Sequence, residues 1–146
     1  MFVKQNMPGV FRGRRHVYWS HCDPAGIVYE PRFGQWLHDL LERWFHEVVD
    51  TPYVDFIMKR RIGFPTKTVA TTYHSPARLG DVVEVQLRVE LVGETSITFG
   101  YQAWRIDDHK LPVLLFESTV IRVVVNLDTM QPIAIPDELR VKIAEF

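Results

Sequence analysis

Eleven residues, His21 to Pro31, gather an acid, a histidine, a cysteine, a glycine and two prolines, and end on a second acid, Glu30, beside Pro31. An aspartate in a turn can act as a base or a nucleophile at a carbonyl carbon. The first N–H groups of a helix have no partner inside it, and with the helix dipole they favour an oxygen that becomes negative. Asp23 supplies the first function. A helix that begins near Pro31 supplies the second, with Glu30 near its N-cap, because proline at the first helical position loses no hydrogen bond. Gly26 lets the backbone approach a ligand closely.

Each of these residues also has a plainer use. Asp23 before Pro24 is a common turn device, in which the carboxylate caps a nearby N–H. Cys22 reads as a packed thiol rather than a nucleophile. His21 and Cys22 point to opposite faces of an extended chain, so they do not converge on one metal ion, and no metal is expected. His38, His46 and His74 stand alone in the sequence and read as surface or interface histidines. Glu42 is a minor rival acid; its plainer reading is a solvated helix face paired with Arg43 or His46.

The elements around this loop follow from periodicity. His16 to Ser20 reads as a first strand, broken by Asp23-Pro24 and Gly26. Phe33, Trp36, Leu37, Leu40, Leu41, Trp44, Phe45, Val48 and Val49 then form a helical stripe. Asp50-Thr51-Pro52 ends it. Tyr53 to Arg61 reads as a short second helix with Val54, Ile57 and Met58 on its apolar side. Thr66 to His74 is strand-like. Val83 to Leu91 alternates as a long half-exposed strand, and Gly93-Glu94 turns the chain into a further strand carrying Ile97, Phe99, Tyr101 and Ala103. Asp107 to Lys110 is a polar turn. Val113 to Asn126 is apolar on both faces, and Pro136 to Phe146 is a terminal helix. The class is α+β. The apolar far face of Val113–Val125 requires a partner, so an oligomer is expected.

Composition bounds the rest. The 146 residues suit a single domain spanning 1–146, with residues 1–14 as a loose N-terminal arm, and a 47% hydrophobic content supplies a core. Formal net charge is −1, which gives no field for nucleic acid. The lone cysteine permits no internal disulfide and fits a cytoplasmic setting. No apolar run of about 18 residues exists, so no membrane span is expected, and the start of the chain lacks a secretory core.

Asp23-Pro24-Ala25-Gly26-Ile27-Val28-Tyr29, with Pro31 two residues on, resembles the hotdog-fold acyl-CoA thioesterases, in particular the 4-hydroxybenzoyl-CoA thioesterase branch. Gly80-Asp81-Val82-Val83-Glu84-Val85, after a Ser-Pro-Ala turn, adds a weaker match. The resemblance covers about His16 to Pro136. It implies an antiparallel sheet wrapped around one long central helix, chains paired edge to edge as a homodimer or a dimer-of-dimers tetramer, and active sites at the subunit interface. It implies an acyl-CoA substrate, possible aromatic acyl groups, and no cofactor, since CoA is part of the substrate. Asp23 would be the catalytic carboxylate, and the Glu30 backbone N–H would meet the thioester oxygen. Gly26, Ile27, Val28 and Tyr29 would line the substrate. Phe64, before Pro65, is open to two readings, acyl-pocket wall or plain core.

Two departures stand against that pattern. Related enzymes often carry histidine where this chain has Glu30, which adds a negative charge near a developing oxyanion. The turns at Val92–Thr95 and Thr129–Pro132 hold no basic residue for the coenzyme phosphates. Two rival functions remain: a hotdog dehydratase or hydratase acting on acyl thioesters, and a non-catalytic acyl-thioester binding module.

Overall fold

The computed structural model describes residues 9–146. Helix α1, Pro31–Trp44, runs on through a wider π-type segment, Phe45–Val49, and stops where Asp50 takes a left-handed backbone, φ 59°. Its apolar stripe is the centre of the core. Leu41, Trp44 and Phe45 are completely covered, and Trp36 and Leu40 nearly so. Each such side chain contributes roughly 1.5–3 kcal/mol by leaving water.

Among the described residues, seven strands accompany it. β1 is Phe11–His16, β2 Ile62–Gly63, β3 Thr66–Tyr73, β4 Val82–Val92, β5 Ser96–Asp107, β6 Lys110–Val123 and β7 Val125–Asn126. Five form one antiparallel sheet in the order β1-β4-β5-β6-β3, while β2 and β7 pair separately. Val83, Val85 and Leu87 of β4 and Ile97, Phe99, Tyr101 and Ala103 of β5 are buried on the face that holds α1. Helix α2, Asp137–Glu145, closes the chain, with Leu139 buried. The antiparallel sheet around a long helix agrees with the expected α+β hotdog architecture.

The structure corrects several expectations. The first strand is Phe11–His16 rather than His16–Ser20, and Trp19–His21 is a short 3₁₀ turn. A loose arm over 1–14 therefore does not hold for 9–14: Gly9 N–H donates to Phe146 O, Phe11 is buried, and β1 pairs with β4 from Phe11↔Leu87 to His16↔Val82. The remainder of that arm, 1–8, lies outside the described residues. The arginines of Phe11-Arg12-Gly13-Arg14 hid the strand because they read as solvent-facing. In the fold Arg12 and Arg14 meet Glu84 at 2.8 and 2.9 Å.

For the same reason β4 is not half-exposed along its length. Glu84 and Gln86, on its polar side, are buried under these arginines. The short helical segment before β2 buries Phe56 and leaves Val54 and Met58 exposed, the reverse of the apolar side read from spacing. The outer face of β6 is less apolar than expected. Phe116, Ser118 and Val120 share the inner face with their partners Ala103, Tyr101 and Phe99, so Glu117 and Thr119 fall on the outer one.

Candidate active site

The loop before α1 is a small hairpin. Asp23 N–H donates to Ile27 O at 3.0 Å, Cys22 bridges Val28, and Tyr29 N–H donates to His21 O at 2.9 Å. Inside it, Gly26 N–H donates to Asp23 O at 3.0 Å and Ala25 N–H to Asp23 Oδ1 at 2.8 Å. Asp23 is thus the turn device its place before Pro24 suggests: one carboxylate oxygen caps the turn, and among the described residues no protein donor meets the other. Gly26 has φ +77° and open space where a Cβ would stand, so its need is conformational. Val28 N–H to Ala77 O and Leu79 N–H to Gly26 O dock the hairpin on the turn before β4.

The exit of the hairpin is the start of the helix. Glu30 is the N-cap and Pro31 the first helical residue, as their order in the sequence predicts. Arg32 N–H and Phe33 N–H turn back to Tyr29 O and Glu30 O, whereas Glu30 N–H meets no backbone acceptor among the described residues. It is a donor at the positive end of α1, following a hairpin that carries Asp23. The Glu30 side chain makes no cap. It faces Tyr73 at the end of β3: burial pushes the Tyr73 phenol above its ordinary range, and the Glu30 carboxylate, as acceptor, pushes it further. Tyr73 also packs on Phe33 and Phe116, with ring centres 6.1 Å from each. The carboxylate is thus near the end of the edge strand.

The other candidates differ in exposure and surroundings. Tyr29 is exposed beside the loop, Ile27 is half-buried, and Val28 is core. Phe64 is core as well, with Phe45, Tyr53 and Phe56 at 4.9, 5.7 and 5.5 Å. Cys22 Sγ lies 3.6 Å from Tyr18 O, half-buried against the core, as a packed thiol should. Glu42 pairs with His38 at 3.2 Å, and His38 in turn meets Arg122 at 3.4 Å and the Tyr53 ring, so His38 is not isolated. A cavity of about 590 Å³ opens on the outer flank of α1, lined by Trp36, Leu40, Tyr53, Val54, Arg14 and Arg15 among others. Asp23 does not line it; Trp36 stands between it and the hairpin base at His21.

Two features escaped a reading by local pattern. The hairpin at Gly93-Glu94 does receive a cation: Arg140 of α2 donates to Gly93 O and Glu94 O at 2.7 and 3.0 Å. Exposed Tyr18 and Trp19 flank the loop, while His21 between them and Asp23 is held by specific contacts. Arg140 lies 46 or 47 residues along the chain from the Gly93-Glu94 turn, so no short-range pattern marks its contact. No helix among the described residues is long and apolar enough to cross a membrane.

Known proteins share this fold. The sequence pattern of the thioesterase-like superfamily matches residues 17–143. The acyl-CoA thioester hydrolase YbgC of Escherichia coli is 27% identical over 139 residues, covering 94% of this chain and 96% of that protein. Slr0204, a 1,4-dihydroxy-2-naphthoyl-CoA thioesterase from Synechocystis, superimposes with a TM-score of 0.83 at 22% identity, covering 94% of this chain and 98% of that one. The 4-hydroxybenzoyl CoA thioesterase from Pseudomonas sp. strain CBS-3 does so with a TM-score of 0.83 at 20% identity, covering 91% and 98%. Fold and match together define the class, the hotdog-fold thioesterases. The chain belongs to the thioesterase-like superfamily.

Proposed function

We propose that this chain hydrolyses acyl-CoA thioesters to the free acid and CoA, at the hairpin that carries Asp23. The observation behind this is a hairpin-to-helix junction that holds both an uncapped carboxylate oxygen on Asp23 and, at the start of α1, a Glu30 N–H with no backbone acceptor among the described residues. The thioester oxygen would accept from the Glu30 N–H as it gains charge. Asp23 either takes a proton from the water that attacks the carbonyl carbon, or attacks that carbon itself to give a mixed anhydride which water then opens. In both routes the C–S bond breaks, and CoA leaves as the thiolate, to be protonated from solvent.

Support for CoA as the carrier comes from the relatives named for it and from Arg140, which gives the Gly93-Glu94 hairpin the cation its own sequence lacks. An aromatic acyl group, such as hydroxybenzoyl, fits the aromatic side chains around the loop: Tyr18, Trp19 and Tyr29 on its outside, Phe33 and Tyr73 at its helix end. The substrate-contacting set is then Gly26, Ile27, Val28 backbone and Tyr29.

A second copy completes the reading. β3 ends the sheet, with one edge unpaired and Val69 and Tyr73 exposed along it. An open edge of this kind is a template for another strand. A homodimer joined through β3, or a pair of such dimers, would cover it and would bring a partner surface toward Tyr73 and Glu30.

The test is thiol release from a panel of benzoyl-, 4-hydroxybenzoyl-, butyryl- and palmitoyl-CoA by the wild-type chain and Asp23→Asn. Release by the wild type alone is the expected result. Hydration of crotonyl-CoA without thiol release would favour the dehydratase reading. Stoichiometric binding with neither reaction would favour a binding module.

A further inference from the structure

His21 takes part in none of the chemistry above, yet it is the most constrained side chain at the base of the hairpin. Its Nδ1 accepts the Tyr18 N–H at 3.0 Å. Its backbone N–H returns to Tyr18 O at 3.0 Å, and its carbonyl accepts Tyr29 N–H at 2.9 Å. The imidazole stands edge-on to Trp36 of α1, with ring centres 5.3 Å apart at 81°, and leans on the Tyr18 ring at 5.7 Å. One residue thus ties the segment entering the hairpin, the segment leaving it and the helix behind it.

We propose that His21 is a positioning residue, whose neutral imidazole locks the base of the Cys22–Val28 hairpin and so sets the Asp23 carboxylate relative to the Glu30 N–H. This rests on the thioesterase function above and adds a device that the reaction itself does not require. Because Nδ1 accepts, the ring proton sits on Nε2. Protonating Nδ1 would set N–H against N–H at Tyr18 and open the lock. The charged groups facing the ring oppose that event. Arg15 of β1, stacked 4.8 Å over Trp36 and paired with Asp39 at 3.3 Å, and Arg32 of α1 are both cationic. Burial first, then these two arginines, hold the His21 pKa below its ordinary value. The lock is therefore closed at neutral pH and opens on acidification.

Two measurements test it, one independent of substrate. The first is hydrogen exchange of the Tyr18 amide, corrected for intrinsic rate, at pH 7.5 and pH 5. Wild type should lose about tenfold in protection toward pH 5. His21→Asn, whose side-chain oxygen accepts but does not titrate, should stay protected at both, and His21→Leu at neither. The second is turnover of the acyl-CoA that wild type cleaves fastest. His21→Leu should lose about tenfold in kcat with KM within about twofold, as expected for a misplaced group. His21→Asn should stay within about threefold at pH 7.5, and its acid limb should lie at lower pH than that of wild type. Equal Tyr18 protection in wild type and His21→Leu, or an unmoved acid limb in His21→Asn, overturns the lock. Should His21→Leu not fold, His21→Asn alone decides. Exchange that behaves as expected in a wild type that cleaves no acyl-CoA would remove the thioesterase reading and leave the lock standing.

Discussion

Asp23 Oδ1 accepts the Ala25 N–H at 2.8 Å, and this one bond divides the carboxylate into an oxygen that caps the turn and one that no protein donor meets among the described residues. The division separates two substitutions that are usually treated alike. Asn keeps an oxygen for Ala25 but removes the negative charge. Ala removes both. Asp23→Asn should lower kcat by about 10³-fold, in the range expected for a lost acid–base group, while moving the melting temperature little. Asp23→Ala should lose as much activity and also melt earlier. Steady-state kinetics beside calorimetry checks both, and an Asn variant with near-normal turnover would remove Asp23 from catalysis.

The Glu30 side chain should matter less than its backbone. Glu30→Ala leaves the N–H at the start of α1 in place, so kcat should stay within about threefold, since no group that contacts the reacting atoms has gone. The phenol of Tyr73 provides a separate readout. Glu30 helps to raise its pKa, second to burial, so the variant should show a lower Tyr73 pKa in ultraviolet titration. A fall of 100-fold in kcat would show that the carboxylate itself takes part.

Glu84 is a stability site far from the chemistry. It is 5% exposed and accepts from Arg12, Arg14 and Gln86. Burial alone would raise its pKa, but the bonds from Gln86, Arg14 and Arg12 outweigh it and hold the carboxyl below its ordinary value of 4.5. A carboxyl depressed on folding stabilises the fold above its unfolded pKa, and that stability is lost as pH falls below about 4.5 toward the folded value. Urea unfolding at pH 7, 5, 4 and 3 should therefore show a fall below pH 4.5 that Glu84→Gln reduces. At pH 7, Glu84→Ala should cost about 3 kcal/mol, because it removes a buried carboxylate that accepts from Arg12, Arg14 and Gln86.

The open edge of β3 predicts the state of assembly. Val69→Lys places a solvated charge on an exposed position of that edge. Sedimentation velocity should show a dimer or larger species for wild type and a smaller one for the variant, with activity falling in parallel. A monomeric, fully active wild type would refute the proposed pairing.

Much of this site was legible because its signals are local. Pro31 permits only a few helical positions, and Glu30 before it had to be the cap. The spacing from Phe33 to Val49 needs only the pitch of a helix to be read. Asp23-Pro24 and Gly26 announce a turn whatever surrounds them. The strands from Val82 to Asn126 were found the same way, by alternation and by the turns between them.

What the sequence left open depends on contacts between distant residues. Phe11-Arg12-Gly13-Arg14 looked like a tail until Glu84, seventy residues or more away, supplied the charge that lets those arginines lie on a sheet. Arg140 reaches the Gly93 hairpin only because α2 folds back over it. Glu30 looked like a fault beside an oxyanion until β3 brought Tyr73 to face it. His21 read as packing, and its place at the hairpin base emerged once α1 set Trp36 against its ring. Local pattern thus determined the helix, the turn and the acid that the turn presents, since backbone stereochemistry and hydrophobic spacing act over a few residues. Tertiary structure decided that Arg12 and Arg14 lie on a sheet, because a buried carboxylate such as Glu84 settles where donors far along the chain satisfy it.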